Sequence, residues 1–174
     1  MNTQKQPGTD CTLEIDDGFL NLRVGAIIQK GDQFLMVGND RDDYLYSVGG
    51  RIHFGETARE AILREVEEET GVRLEIDRLG FLHENLFYAD YRDRKRAPFY
   101  ETSYYFYMKT PEDFCPVCDS FTEGAQKERL VWVTKDTEQT LYPEFFRTEL
   151  EKNLPGVQYI VTDERQSGRT WHKG

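Results

Sequence analysis

The sequence is poor in cysteine, poor in basic relative to acidic residues, and free of long apolar runs. Its three cysteines, Cys11, Cys115 and Cys118, cannot all pair, which argues against a disulfide framework. No positively charged segment followed by an apolar one opens the chain, so we expect a cytoplasmic protein. No apolar stretch approaches the roughly 20 residues that span a bilayer, and we therefore expect no association with membranes.

The shortage of positive charge argues against further classes of function. The chain has 32 aspartates and glutamates against 22 lysines and arginines, and its net charge is −10. General binding to nucleic acid or to anionic membranes needs a basic surface, which this composition does not favour. An acidic protein that acts on phosphates must bring its own cations, so the composition favours a metal-dependent site.

The length of 174 residues and the aromatic content of 13% predict one domain with a substantial core. We expect that domain at residues 19–162, between polar tails at 1–18 and 163–174. Apolar runs bounded by turn signals predict strands on both sides of a central helix, and a second helix starting near Pro143. The first two strands, at 20–28 and 33–37, should form a hairpin. This order of elements predicts an α/β domain in which a mixed sheet packs between helices.

The most informative stretch runs from Gly50 to Val72 and reads GRIHFGETAREAILREVEEETGV. Thr57 is followed three residues later by Glu60, which predicts a capping box at the start of a helix. Gly71 predicts the end of that helix, because glycine readily adopts the left-handed conformation that closes helices. The stretch therefore predicts a capped helix of about three and a half turns.

Three glutamates on this helix predict a metal site. At about 100° per residue, Glu65, Glu68 and Glu69 project from one side of the helix. Their like charges repel, and a hard cation such as Mg²⁺ offsets this repulsion while it shares other ligand positions with water and substrate phosphates. The glycine pair Gly49-Gly50 lets the backbone approach a ligand closely, so that a backbone carbonyl can join the metal ligands.

The spacing of the fixed residues in this stretch resembles the complete signature of the Nudix hydrolases, without departures. The resemblance covers about residues 20–154 and implies an α/β/α sandwich with a mixed central sheet. It implies that Gly49 binds metal through its carbonyl oxygen, and that Arg64 and Glu56 orient the metal ligands. The side chains that it implies as metal ligands are Glu65, Glu68 and Glu69.

A further catalytic acid is expected outside the signature. In the family, an acidic residue shortly before a tryptophan-bearing strand often completes the metal site or acts as general base. Glu123 and Glu128 are the candidates, because both precede the strand that carries Trp132. The predicted catalytic residues are therefore Arg64, Glu65 and Glu68, together with Glu128 or Glu123.

Substrate contacts are predicted at Arg51, Glu84 and Tyr88. Tyr88 lies 16 residues past the signature, where the family carries residues that distinguish its subfamilies. A tyrosine there resembles the pattern of dinucleoside polyphosphate hydrolases, whereas the proline expected of ADP-ribose hydrolases is missing.

Two other features have more than one interpretation. The basic loop at 92–96 is either a solvated hairpin end or the source of an arginine for a substrate phosphate. Cys115 and Cys118 have the spacing of half a zinc site, but the sequence offers no matching second half, so ordinary thiols are expected. The aromatic residues of the strands around this loop are expected mainly in the core, with one or two able to stack on a nucleobase.

Together these residues predict Mg²⁺-dependent hydrolysis of a pyrophosphate bond in a nucleoside diphosphate linked to another group, with Mn²⁺ as a substitute. The candidate substrates are nucleotide sugars, dinucleoside polyphosphates, ADP-ribose and nucleoside triphosphates. Either Glu65 or the acid before Trp132 takes the proton from the attacking water. The family often forms dimers, so a homodimer is an expected assembly.

Two rival hypotheses belong to other functional classes. One is a domain of the same fold that binds a nucleotide metabolite without cleaving it, although such domains usually lose signature carboxylates. The other is a prenyl diphosphate isomerase, which depends on a cysteine in a strand beside the site. No cysteine of this sequence has that context.

Overall fold

Two mixed β-sheets and one long helix make up most of the described chain. The computed structural model describes residues 8–40, 42–117, 127–168 and 171–172. No helix in these residues is long and apolar enough to cross a membrane. In chain order the elements are β1 (Thr12–Ile15), β2 (Gly18–Ile27), β3 (Gln29–Lys30), β4 (Gln33–Asn39), β5 (Tyr44–Ser47), β6 (Gly49–Arg51), α1 (Ala58–Thr70), β7 (Glu75–Tyr91), β8 (Arg94–Lys109), β9 (Glu128–Val133), β10 (Thr140–Tyr142), α2 (Phe146–Glu149), a 3-10 turn (Leu150–Lys152), β11 (Gln158–Asp163) and β12 (Trp171–His172).

The strands form two sheets. The first has the order β1-β2-β8-β7-β11, with β6 paired to β2 and β12 paired to β7. Its long strands β7 and β8 form the antiparallel hairpin expected after the helix. The second sheet has the order β10-β5-β4-β3, with β9 paired to β4. Both sheets contain parallel and antiparallel pairs, so the predicted α/β class with mixed sheets is confirmed.

A crossing between the sheets replaces the hairpin predicted from residues 20–28 and 33–37. β2 pairs with β8 in the first sheet, whereas β4 pairs with β3, β5 and β9 in the second. Ile28 lies at the crossing, and its carbonyl accepts a hydrogen bond from the amide of Leu35 at 2.9 Å. The hairpin is present only as the short antiparallel pair of β3 and β4 across the turn at residues 31–32. Its predicted extent was wrong because the apolar run continues through the crossing, with no polar break to mark the change of sheet.

Helix α1 is built as the sequence predicts. The hydroxyl of Thr57 accepts from the amide of Glu60, whose side chain accepts from the amide of Thr57 in return. Gly71 closes the helix at a φ of +69°. The buried side of α1 packs against the first sheet, so the helix has a fixed position relative to β2 and β6.

The chain ends differ from the prediction in extent. β1 and β12, in segments predicted as polar tails, both pair with the first sheet. The late helix follows Pro143 as predicted, and its residues Phe146 and Leu150 are buried. It is short because the chain turns at Asn153, which has a φ of +39°.

A chain of hydrogen bonds crosses the buried face of the first sheet. Glu101 of β8 is fully buried and accepts from the amide of Asn21 at 2.6 Å and from the hydroxyl of Tyr142 at 2.8 Å. Tyr142 in turn accepts from the side-chain amide of Asn85 at 2.9 Å, and Asn85 accepts from the hydroxyl of Thr162 at 2.7 Å. Every bond runs toward the carboxylate, so this network stabilises Glu101 in its ionised form.

The capping box gives a direct test of what fixes α1. We expect Thr57→Ala to lower the free energy of unfolding by about 1 kcal/mol, because the mutation leaves the amide of Glu60 without its partner. Thr57→Ser keeps a hydroxyl and should unfold like the unaltered protein. Urea denaturation followed by circular dichroism measures the difference, and equal losses in the two variants would contradict this account.

His83 should make stability depend on pH. Thr162 donates its hydrogen to Asn85, so Nε2 of His83 donates to Thr162, and Nδ1 has no partner within the described part of the chain. Burial lowers the pKa of His83 from 6.5 to about 4, although Glu101 acts in the opposite direction. As the pH falls below 6.5, the unfolded chain therefore gains a proton that the folded chain does not.

We accordingly expect stability to be full above pH 6.5 and to fall toward pH 4, by up to about 3 kcal/mol from this group. His83→Gln should remove this part of the decline, whereas His53→Gln, at a partly exposed histidine, should retain it. Urea denaturation at several pH values makes the comparison. Parallel pH profiles for the unaltered protein and His83→Gln would contradict the expectation.

Candidate active site

The turn at Gly49-Gly50 receives two of the signature carboxylates. The amide of Gly49 donates to Oε2 of Glu69 at 3.0 Å. The carboxylate of Glu65 lies against Gly50, where any Cβ would collide with its oxygens. Gly49 has a φ of +141°, and a Cβ there would strike the backbone of Val24. Gly49 is therefore needed for β6 to approach β2 so closely, whereas a Cβ at Gly50 would displace the carboxylate of Glu65.

The guanidinium of Arg64 connects the other acids of the signature. Its Nη2 donates to Oε1 of Glu56 at 2.6 Å and to the carbonyl of Arg51 at 3.0 Å. Its Nη1 donates to Oε1 of Glu65 at 2.7 Å and to Oε2 of Glu68 at 3.1 Å. Burial lowers the pKa of Arg64, but Glu56 and Glu65 raise it, and the net shift is upward. Arg64 therefore has the contacts that it needs in order to orient the predicted metal ligands.

The three helix glutamates differ in exposure. The side chain of Glu65 is 12% exposed and that of Glu68 is 58% exposed, while Glu69 is buried. Burial raises the pKa of Glu69 well above its usual value, and the carboxylates of Glu65 and Glu128 raise it further. Burial also raises the pKa of Glu65, against the effect of Arg64. The repulsion between the carboxylates is therefore strongest at Glu69, which is buried, and at the less exposed Glu65.

Strand β9 brings Glu128 into the same cluster. Its side chain is buried, and Oε1 accepts a hydrogen bond from the hydroxyl of Tyr46 at 2.6 Å. Burial and this hydrogen bond raise the pKa of Tyr46 above its usual value. The carboxylate of Glu128 also raises the pKa of Glu69, so the two acids interact electrostatically. Glu123, the other predicted acid, lies outside the described residues.

Arg23 of β2 also acts on this cluster, although no motif of the sequence indicates it. Its side chain is 23% exposed, and its Nε lies 4.0 Å from Oε2 of Glu101. It also lowers the pKa of Glu65 and Glu69. Burial lowers the pKa of Arg23, but Glu101 and other neighbours raise it to a net upward shift. A lone arginine in a strand of apolar residues needs a charged partner. This requirement is the feature of the sequence that could have indicated Arg23 as a site residue.

Arg51, a predicted substrate contact, lies next to the cluster but has other partners. Its carbonyl accepts from Arg64, and its Nη1 lies 3.2 Å from Oδ2 of Asp10. Its guanidinium carbon is 5.5 Å from the ring centroid of Tyr91, close enough for a cation–π contact. A role for Arg51 in substrate binding stays a prediction.

Glu84 and Tyr88, the other predicted contacts, lie on the opposite face of the first sheet from Arg23. The side chains of β7 alternate between the two faces, and those of Glu84 and Tyr88 point away from the buried network. Glu84 accepts from the hydroxyl of Tyr159 at 2.6 Å, and the guanidinium carbon of Arg96 lies 4.6 Å from the ring centroid of Tyr88. Their roles also stay predictions.

The cysteines have little bearing on the site. Cys11 and Cys115 are free, and Cys115 is exposed. Cys118 lies outside the described residues. The interpretation of Cys115 and Cys118 as ordinary thiols therefore stays a prediction.

The residues of the cluster fit a hard divalent cation by their chemistry. Carboxylate and carbonyl oxygens are the ligands that Mg²⁺ and Mn²⁺ prefer, and burial together with the neighbouring Glu65 and Glu128 raises the pKa of Glu69. In the described residues, no group of three or more His, Cys, Asp or Glu side chains is spaced to hold a metal ion. Arg64 instead contacts Glu65 and Glu68, so binding of a cation requires these side chains to change rotamer.

Comparison with known proteins identifies the family. The sequence matches the NUDIX domain over residues 20–150. No curated protein matches the chain. A MutT protein from Bacillus halodurans is 17% identical, with a TM-score of 0.62 over 86% of this chain and 93% of that chain. A MutT Nudix hydrolase from Burkholderia pseudomallei is 19% identical, with a TM-score of 0.57 over 78% of this chain and 98% of that chain.

A third structure is an ADP-ribose pyrophosphatase from Streptococcus suis, 15% identical, with a TM-score of 0.53 over 82% of this chain and 98% of that chain. At such identities these likenesses show the fold alone, whereas the domain match spans most of the chain and includes the signature helix. Enzymes with this domain generally use divalent metal ions. The chain belongs to the Nudix hydrolase family.

Proposed function

We propose that this hydrolase cleaves a pyrophosphate bond in a nucleoside diphosphate linked to another group, with Mg²⁺ as the cation. The proposal rests on one observation, the placement of Glu65 and Glu69 against the Gly49-Gly50 turn, with Arg64 hydrogen-bonded to Glu65 and Glu68. Glu128 raises the pKa of Glu69, and Arg23 of β2 lowers the pKa of Glu65 and Glu69. Hydrolysis of a diphosphate requires acids that bind a divalent cation and a positively charged side chain that contacts a phosphate oxygen. The glutamates supply the first, and Arg23 supplies the second.

The cation would be held by Glu65, Glu68 and Glu69, with the carbonyl of Gly49. Bound there, a divalent cation neutralises diphosphate oxygens and lowers the pKa of a water molecule. Arg64 holds Glu65 and Glu68 near each other through the hydrogen bonds that it donates to both. Mn²⁺ has the same ligand preferences and should replace Mg²⁺.

The phosphate and the proton are handled by residues from the sheets. Arg23 donates to an oxygen of the diphosphate, and Glu101 keeps its guanidinium in place. Glu128 is the better candidate for the acceptor of the water proton, because Glu65 is paired with the cationic Arg64 whereas Glu128 accepts from the neutral hydroxyl of Tyr46. Tyr46 fixes one oxygen of Glu128 and so limits the directions in which the carboxylate can point.

The substrate panel follows from the sequence and from the structural neighbours. Two structures with this fold carry the names ADP-ribose pyrophosphatase and UDP-X diphosphatase, so ADP-ribose and UDP-linked compounds come first. The tyrosine at position 88 adds dinucleoside polyphosphates, and nucleoside triphosphates complete the panel. A cytoplasmic location, predicted from the cysteines, is part of the same proposal.

Hydrolysis across this panel should require Mg²⁺ and should depend on Glu68. Because Glu68 is largely exposed, Glu68→Gln should fold normally and should lower kcat/KM by at least about 100-fold, since it removes a ligand charge. Glu67→Gln is the matched control, as Glu67 is also exposed and pairs with Arg73 away from the acid cluster. Release of phosphate-containing products is the measurement. Binding of a panel compound without turnover, with Mg²⁺ present, would favour the non-catalytic alternative.

Arg23 should matter for activity and, separately, for stability. We expect Arg23→Gln to lower kcat/KM by about 10-fold to 100-fold, the loss of one charge-assisted hydrogen bond, and to destabilise the fold by leaving Glu101 with less compensation. Adding Glu101→Gln should restore much of the stability but not the activity. Kinetics and urea denaturation on both variants separate the effects. Recovery of activity in the double variant would show that Arg23 acts only on folding.

A further inference from the structure

The N-terminal segment, as we name residues 8–11, lies along the loop that joins β6 to α1. The amide of Cys11 donates to the carbonyl of Ile52 at 2.7 Å. The carbonyl of Thr9 accepts from the amide of Phe54, also at 2.7 Å. These residues were predicted as part of a polar tail, but their backbone pairs with the signature stretch on the way into helix α1.

The side chain of Asp10 contacts two residues of the signature stretch. Its Oδ2 lies 3.2 Å from Nη1 of Arg51, and its Oδ1 lies 3.4 Å from Nε2 of His53. The side chain of Arg51 is 10% exposed, so its guanidinium needs a nearby carboxylate. A Cβ at Gly8 would collide with the side chain of His53, so the segment also packs closely there. Asp10 therefore limits how far the side chains of Arg51 and His53 can move.

Arg51 and His53 in turn hold the residues that orient the predicted metal ligands. The amide of His53 donates to Oε1 of Glu56 at 2.7 Å. The carbonyl of Arg51 accepts from Nη2 of Arg64 at 3.0 Å. The carboxylate of Glu56 completes the arrangement, because it accepts from Nη2 and Nε of Arg64 at 2.6 and 3.2 Å. The backbone from Arg51 to His53 thus positions both Glu56 and Arg64.

These contacts divide the donors of Arg64 into two groups. Its Nη2 and Nε contact Glu56 and the carbonyl of Arg51. Its Nη1 donates to Glu65 and Glu68. A guanidinium released from Glu56 can turn its other donors toward the helix acids, because arginine carries five N–H groups in a planar fork. A cation would then have to displace more of this positive charge, so the hold on Arg64 favours cation binding.

We propose that Asp10 is a positioning residue for the cation site. Asp10 acts on the backbone of Arg51 and His53, this backbone acts on Arg64, and Arg64 acts on the helix acids. The inference rests on the proposed function, since it assigns Asp10 a role at the cation site proposed there. It adds to that site a residue from outside the signature and from outside the NUDIX match at residues 20–150.

Binding of Mn²⁺ to the full chain, measured by electron paramagnetic resonance, is the first test. Asp10→Ala should raise the dissociation constant of Mn²⁺ about 10-fold, the lower end of the loss expected when a residue behind the metal ligands is removed. Asp10→Glu keeps the carboxylate and should recover most of the affinity. Glu14→Ala is the matched control, because Glu14 is also a partly exposed acid near this chain end but pairs with Arg92 instead. Its affinity for Mn²⁺ should equal that of the unaltered chain.

The same measurement in an Arg64→Gln background separates positioning from folding. If Asp10 acts through Arg64, adding Asp10→Ala there should change the dissociation constant less than about 2-fold. A residue that only stabilises the fold would lower the stability in both backgrounds and leave the Mn²⁺ affinity of the folded chain unchanged. Unchanged affinity in Asp10→Ala, or equal losses in the two backgrounds, would overturn the proposal. Circular dichroism checks folding, and Asp10→Asn, which keeps the shape of the side chain, replaces Asp10→Ala should that variant not fold.

A metal-free measurement keeps this inference apart from the proposed function. The Nε–H of Arg64 donates to Glu56, and its NMR signal reports whether this hydrogen bond is held. In Asp10→Ala its exchange with solvent should quicken about 10-fold, whereas Glu14→Ala should leave it unchanged. An unchanged signal in Asp10→Ala contradicts the inference even where the panel compounds are hydrolysed. If the signal responds but the unaltered chain neither binds Mn²⁺ nor hydrolyses any panel compound, the proposed function fails while the hold of Asp10 on Arg64 stands.

Discussion

The repulsion between Glu65 and Glu69, two carboxylates beside a glycine turn of which Glu69 is buried, is the constraint on which the rest of the site depends. Burial and like charge both raise the pKa of Glu69, so the folded chain holds this cluster only with compensation from nearby cations. Arg64 supplies it from the helix and Arg23 from the sheet. Each guanidinium is also tied to a further acid, which keeps it from turning into solvent. The site is therefore a balanced set of charges rather than a simple group of acids.

Local rules were enough to predict the helix and its glutamates. The capping box at Thr57, the closing glycine at position 71 and the spacing of the acids all depend on residues within four positions of one another. The glycine turn was also predictable, because a backbone that approaches carboxylates so closely leaves no room for a Cβ. For the acid before Trp132, the sequence left two candidates, and the structure describes Glu128 alone of the two.

The pairing of strands in the two sheets creates contacts that local sequence rules could not predict. Asn21 and Glu101, whose hydrogen bond holds the partner of Arg23, are 80 residues apart, and the register between β2 and β8 that joins them has no local signal. The crossing at Ile28 was hidden for the same reason. Tyr88 was chosen by its distance from the signature, but its face of the sheet follows from strand register, which distance along the chain does not reveal.

The hydrogen bond from Tyr142 to Glu101 has a mechanical consequence. Tyr142 belongs to β10 in the second sheet and Glu101 to β8 in the first, so this bond fastens the two sheets across their buried interior. The covalent crossing at Ile28 fastens them at a second place. Two separated attachments resist rotation of one sheet against the other, and any adjustment to an incoming molecule is left to the loops and side chains around a rigid frame.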